Sequence, residues 1–157
     1  MLRHLLVASL LAAFSGCSFD FIGSNPDVTT TSPTTDQVKY CRAVMYINPE
    51  LEIDPVGYSI ETGMDDVIGF KFVAMTDDPA ILFDPSRVDT KEFADEFTLP
   101  ALNPQAPETW WDLSSQQLTG ANFTVPPPGS KGMRGLNIAY AKNEDGTLTV
   151  YVLWCET

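Results

Sequence analysis

A chain of 157 residues with 44% hydrophobic side chains can bury one core, which excludes wholesale disorder. Its 21 acidic residues against 9 basic ones give a formal charge of −12. Such a surface repels phosphate, which excludes nucleic acid as a partner and a direct electrostatic grip on anionic lipid. The surplus would suit a basic partner or a cation, but the plainer reading is solubility or a saline habitat.

Arg3 and the amino terminus form a short positive region, followed by an uncharged apolar run from Leu5 to Phe14. That run is about half of the roughly 20 residues a membrane-spanning helix needs. It fits the core of a secretory signal. Small residues Ser15 and Gly16 then lead to Cys17. The stretch Phe14-Ser15-Gly16-Cys17 resembles a lipobox, the site where lipoprotein signal peptidase cuts before a lipid-modified cysteine. Phe14 stands where leucine is usual.

The resemblance covers residues 1–17 and implies a bacterial lipoprotein precursor. Residues 1–16 would be removed as a signal peptide, and Cys17 would carry two or three acyl chains. Each buried methylene contributes about 0.8 kcal/mol, so attachment through more than one chain is firm. Ser18 replaces the aspartate that tends to retain such proteins at the inner membrane. The implied location is the outer membrane, where the cell has one.

Residues 17–36, rich in Thr, Ser, Pro and Asp, read as a flexible tether. A single globular domain is expected over 37–157. Its first element is Val38 to Ile47, where Tyr, Val and Ile favour a strand. Val38, Cys41, Arg42 and Met45 also stand at helical spacing. Asn48-Pro49 and Asp54-Pro55 bracket a turn region, and Val56, Tyr58 and Ile60 alternate as a short strand.

Val67 to Met75 is the clearest inner strand, with Ile68, Phe70, Phe72 and Ala74 on one face. Val67, Val73 and Met75 make the other face apolar, so both are expected to be covered. Asp78-Pro79 predicts a cap and a short helical turn through Ile81, Leu82 and Phe83. Asp89 to Phe97 predicts a helix, with Asp89 and Glu92 as a capping pair and Val88 and Phe93 as a staple. Phe93 and Phe97 would dock it by one face.

Leu99 to Pro107 has three prolines and no regular pattern. After Trp110-Trp111-Asp112 and the elbow Pro126-Pro127-Pro128-Gly129, the chain closes in a hairpin. One arm runs from Gly135 to Lys142, the turn spans Asn143 to Gly146, and the other arm runs from Thr147 to Cys155. No internal repeat is apparent. The fold class expected is α+β, a mostly antiparallel sheet with one or two short helices on one face. An all-β sandwich is the alternative. The domain also resembles uncharacterised small bacterial lipoproteins, a resemblance that implies no activity.

If Cys17 takes lipid, Cys41 and Cys155 remain. An even pair in an oxidising compartment reads as a disulfide tying the domain's first element to its last. In the chain-entropy model such a loop contributes about 4–5 kcal/mol. Two free buried thiols are the competing reading.

The only histidine, His4, lies in the leader. The processed chain therefore has no His-assisted nucleophile and no His-based zinc site, and no CxxC spacing occurs. No Gly-rich phosphate loop is present and no cofactor is expected. Asp65-Asp66, Asp77-Asp78, Asp84, Asp95-Glu96 and Asp112 could supply calcium oxygens or a glycosidase acid pair. No DxDxDG loop supports the first, and Asp78 and Asp89 already have capping tasks. No metal site is expected.

Trp110, Trp111 and Asp112 form the candidate binding surface: an aromatic platform for sugar rings, peptidoglycan or a partner's hot spot. The alternative has one Trp in the core and the other covering a loop. Neighbours rarely both point inward, so at least one is expected to be partly exposed. Together these features predict a lipid-anchored cell-envelope protein, held at the membrane through its lipid, with a non-enzymatic binding or structural role toward an envelope protein or glycan. An acidic inhibitor or immunity lipoprotein for a basic envelope enzyme or toxin is one alternative. A hydrolase using carboxylates alone is the other.

Overall fold

The structure, a computed structural model, describes residues 28–62, 66–100, 102, 110–113, 117–129 and 132–156. The leader, Cys17 and the first part of the expected tether lie outside the described residues. So does Asp65.

Seven strands form one antiparallel sheet. They are β1 (Val28–Thr30), β2 (Ile53–Glu61), β3 (Val67–Ala74), β4 (Ala94–Asp95), β5 (Thr119–Val125), β6 (Arg134–Lys142) and β7 (Leu148–Glu156). Their order is β1-β2-β3-β7-β6-β5-β4. The last strand thus lies at the centre, between β3 and β6. The closing hairpin forms as expected, with Leu136, Ile138 and Tyr140 of β6 and Leu148, Val150, Val152 and Trp154 of β7 on one face. Ile68, Phe70, Phe72 and Ala74 of β3 share that face.

Among the described residues the one α-helix is α1 (Thr35–Val44), where strand propensity favoured a strand. Thr34 caps it, accepting from the Gln37 amide while the Gln37 side chain accepts from the Thr34 amide. This reciprocal box satisfies two otherwise orphaned donors. Asp36 in the first turn and Arg42 in the last suit the helix dipole. Cys41, Val44 and Met45 then point into the core with Val38 packed beside them, so helical spacing prevails over local propensity. After the helix, Arg42 donates to the carbonyls of Asn48, Pro49 and Leu51, which folds the chain back toward β2.

The tether boundary is also corrected. Val28–Thr30 pairs with Ile60–Tyr58, and Thr34 belongs to the helix cap, so the domain includes residues assigned to the spacer. The Asp89–Phe97 helix is replaced by a 3-10 turn, Thr90–Glu92, and then β4. Asp89 does cap, through the Lys91 amide. But Glu96 takes φ 59°, which stops any helix, and the two phenylalanines part. Phe93 joins the helix-side core against Phe123 and Tyr140, whereas Phe97 goes to the opposite face. Asp78 caps a second 3-10 turn, Pro79–Ile81, as expected, and Leu82 and Phe83 behind it are buried.

Both sheet faces are covered, as β3 suggested. α1 and the 82–93 segment cover one. The other, carrying Ala139, Ala141, Tyr151 and Leu153, lies under an irregular cover that includes Phe97, Leu99, Leu102, Trp110, Trp111 and Leu118.

The expected Cys41–Cys155 disulfide is absent, and both sulfurs are free thiols. Strand alternation is the reason. Trp154 fills the helix side with Cys41, so Cys155 points to the opposite face and the sheet separates the pair. Burial pushes the Cys41 thiol up to about 12, so at neutral pH it is an inert core group. Two observations are expected. A reductant leaves the thermal midpoint unchanged, and mapping of alkylated thiols in the denatured protein finds Cys41 and Cys155 both labelled without prior reduction. A midpoint that drops on reduction contradicts the arrangement.

A buried lysine, aspartate and tyrosine at the candidate functional site

Lys71 sits in the middle of β3, between Phe70 and Phe72, and only 7% of it is exposed. On β7, Tyr151 stands opposite Lys71 and is fully buried. The ammonium lies over the Tyr151 ring, 4.9 Å from its centroid. Burying such a charge requires a partner. Asp112 supplies it: Lys71 Nζ donates to Asp112 Oδ1 at 2.6 Å, and Tyr151 Oη donates to the same oxygen at 2.8 Å.

The Asp112 side chain is 43% exposed, at the mouth of the cluster. Burial raises its pKa, but the hydrogen bonds from Lys71 and Tyr151 and the Lys71 charge outweigh that and hold it below the usual carboxylate range. Burial, then the hydrogen bond to Asp112 and its charge, push the Tyr151 phenol up. Tyr151 is therefore a neutral donor. It is sealed from solvent. The cluster acts as a clamp that pins the covering segment to the sheet.

The two tryptophans belong to that cover. Trp110 is 6% and Trp111 7% exposed, so the expected aromatic platform does not exist. The reason is local. A β-bulge between Pro55 and Gly57 turns Gly57 toward the covered face, and the Trp110 ring lies directly on its Cα. Any Cβ there would fall 2.2 Å from the ring. Trp111 meets Tyr151 edge-on at 5.5 Å and donates from Nε1 to the Pro100 carbonyl at 3.4 Å. Irregular backbone lets both neighbours face inward, which a strand would forbid. Trp110 and Trp111 also meet edge-on, at 5.5 Å.

Of the three expected surface residues, only Asp112 reaches solvent. Lys71 and Tyr151 escaped notice, although Lys71 carried a signal. A lone lysine in a strand apolar on both faces demands a buried carboxylate.

Several of the other described acids have local tasks. Asp78, Asp84 and Asp89 cap turns, Asp95 accepts from Thr119, and Asp145 accepts from Thr147. Among the described residues no three His, Cys, Asp or Glu side chains gather to hold a metal ion. Open grooves flank the sheet. One, of about 680 Å³, is lined by polar groups including Asp95, Gln117, Thr119, Lys142 and Glu144. Another, of about 340 Å³, runs beside α1 between Ala43, Tyr46, Ile47 and Pro49. Comparison with known protein families, curated proteins and solved structures finds no match to the chain.

Proposed function

We propose that the chain is an exported, lipid-anchored envelope protein of α+β class whose domain works by binding or as a structural element, without catalysis. The observation that carries this reading is the apolar run Leu5 to Phe14 ending in Ser15-Gly16-Cys17. The domain's most concentrated chemistry supports it. Lys71, Asp112 and Tyr151 satisfy one another and hold the cover in place.

Mass spectrometry of the protein purified from bacterial envelopes tests the reading. The expected product begins at Cys17 and carries acyl chains, and Cys17→Ser accumulates as uncleaved precursor. An unmodified Cys17, or an intact leader on the wild-type protein, overturns it.

The excess of 21 acids over 9 bases favours a second reading, an inhibitor or immunity lipoprotein for a basic envelope enzyme or toxin. Capture of a basic protein from envelope extracts that weakens steeply with salt supports it. Salt-insensitive capture counts against it.

A further inference from the structure

The two edges of the sheet are finished differently. On one side β1 covers Tyr58–Ile60, and the rest of the β2 edge carries Asp54, Pro55 and the bulge. Charge, proline and bulge all discourage further pairing. On the other side β4 covers only Thr119 and Gly120 of β5. Among the described residues Ala121–Val125 makes no backbone hydrogen bond on its outer side. Among the described residues no charged side chain and no bulge protects Ala121–Val125. Leu113 to Ser130 contains no charged residue and is the longest uncharged run in a chain of net charge −12.

We propose that this edge is a self-association surface, where Ala121–Val125 pairs antiparallel with the same strand of a second copy. The strand is self-complementary about Phe123. A two-fold axis there sets Phe123 against its own copy, Ala121 against Val125, and Asn122 against Thr124. The apolar side chains then share the helix-side face, where Phe123 already meets Phe93 edge-on. Asn122 and Thr124, both exposed, meet on the other face as a hydrogen-bonding pair. No like charges are opposed. The pairing is limited to these five residues, since Pro126 has no N–H and β4 occupies the edge beyond Ala121. So short an interface gives a weak dimer, with a dissociation constant in the micromolar range or above. The repulsion of two acidic domains makes it tighten as salt is added.

Sedimentation equilibrium of the full chain in mild detergent, at two salt concentrations, tests this. The wild type is expected to pass from monomer to dimer with concentration, more readily at high salt. Asn122→Glu with Thr124→Glu opposes like charges twice across the axis and weakens the dimer about tenfold. Asn122→Lys with Thr124→Glu sets opposite charges in the same places and restores it. Both positions are exposed, so folding is not at stake. A chain that stays monomeric throughout overturns the proposal and leaves the edge to an extended segment of another protein. A dimer indifferent to both double substitutions overturns it too, because it forms elsewhere.

Discussion

Gly57→Val is expected to destabilise the domain by about 3 kcal/mol, the upper end of the range for overfilling a packed site. The added Cβ falls 2.2 Å from Cδ2 and 2.3 Å from Cε3 of Trp110. A rigid indole cannot bend away, and Trp111 and the clamp behind it restrict the backbone that carries it. The ring must leave its place, which uncovers part of that face. The measurement is the urea midpoint together with tryptophan emission of the native state, which should shift to the red.

A second substitution separates this cause from others. Trp110→Ala alone leaves a cavity and costs about 3–5 kcal/mol. Combined with Gly57→Val, the pair should cost clearly less than the two single changes added, because the valine then enters the vacated space. Strict additivity would mean that the two residues do not touch.

That contact also marks the limit of what sequence reasoning reaches. The central strands were legible because each obeys one period. β3, β6 and β7 alternate apolar residues, and a strand at the sheet centre has no other way to bury them. α1 was harder. Val38, Cys41 and Met45 fit a helix, but the β-formers around them obscured it, and the deciding capping box joins Gln37 to Thr34, which lay in a stretch that read as spacer. The 89–97 helix failed for the opposite reason. Its cap is real, but Phe93 and Phe97 serve opposite faces, and a cap without an apolar stripe sustains only a turn.

The candidate site was half legible. Trp110-Trp111-Asp112 does converge on the one buried charge of the sheet. Its orientation depends on the Pro55/Gly57 bulge, which reverses the face that β2 presents. No local pattern announces such a reversal. The two cysteines misled by parity alone. Their count says nothing of the faces they occupy, and one residue's step along β7 decides that.

The clamp is expected to respond asymmetrically to removal of its two charges. Asp112→Ala leaves a lysine ammonium and a tyrosine hydroxyl buried without their shared acceptor. Removing one partner of a fully buried pair costs about 3–5 kcal/mol. Asp112 is 43% exposed, so water reaches the gap and the expected loss falls to about 2 kcal/mol. Lys71→Met keeps an apolar stem over Tyr151 and frees a carboxylate that solvent can still hydrate. Its expected cost is about 1 kcal/mol or less. The pH dependence follows from the direction of the Asp112 shift. Its folded pKa is depressed, so its contribution is fully present above the ordinary carboxylate value of about 4. The contribution is lost as pH falls through the lowered value. Acid denaturation followed by circular dichroism should therefore show an acid limb that Asp112→Asn flattens. Should Asp112→Ala prove no costlier than Lys71→Met, the ammonium is not buried against this carboxylate, and the cover over Tyr151 is held by its tryptophans alone.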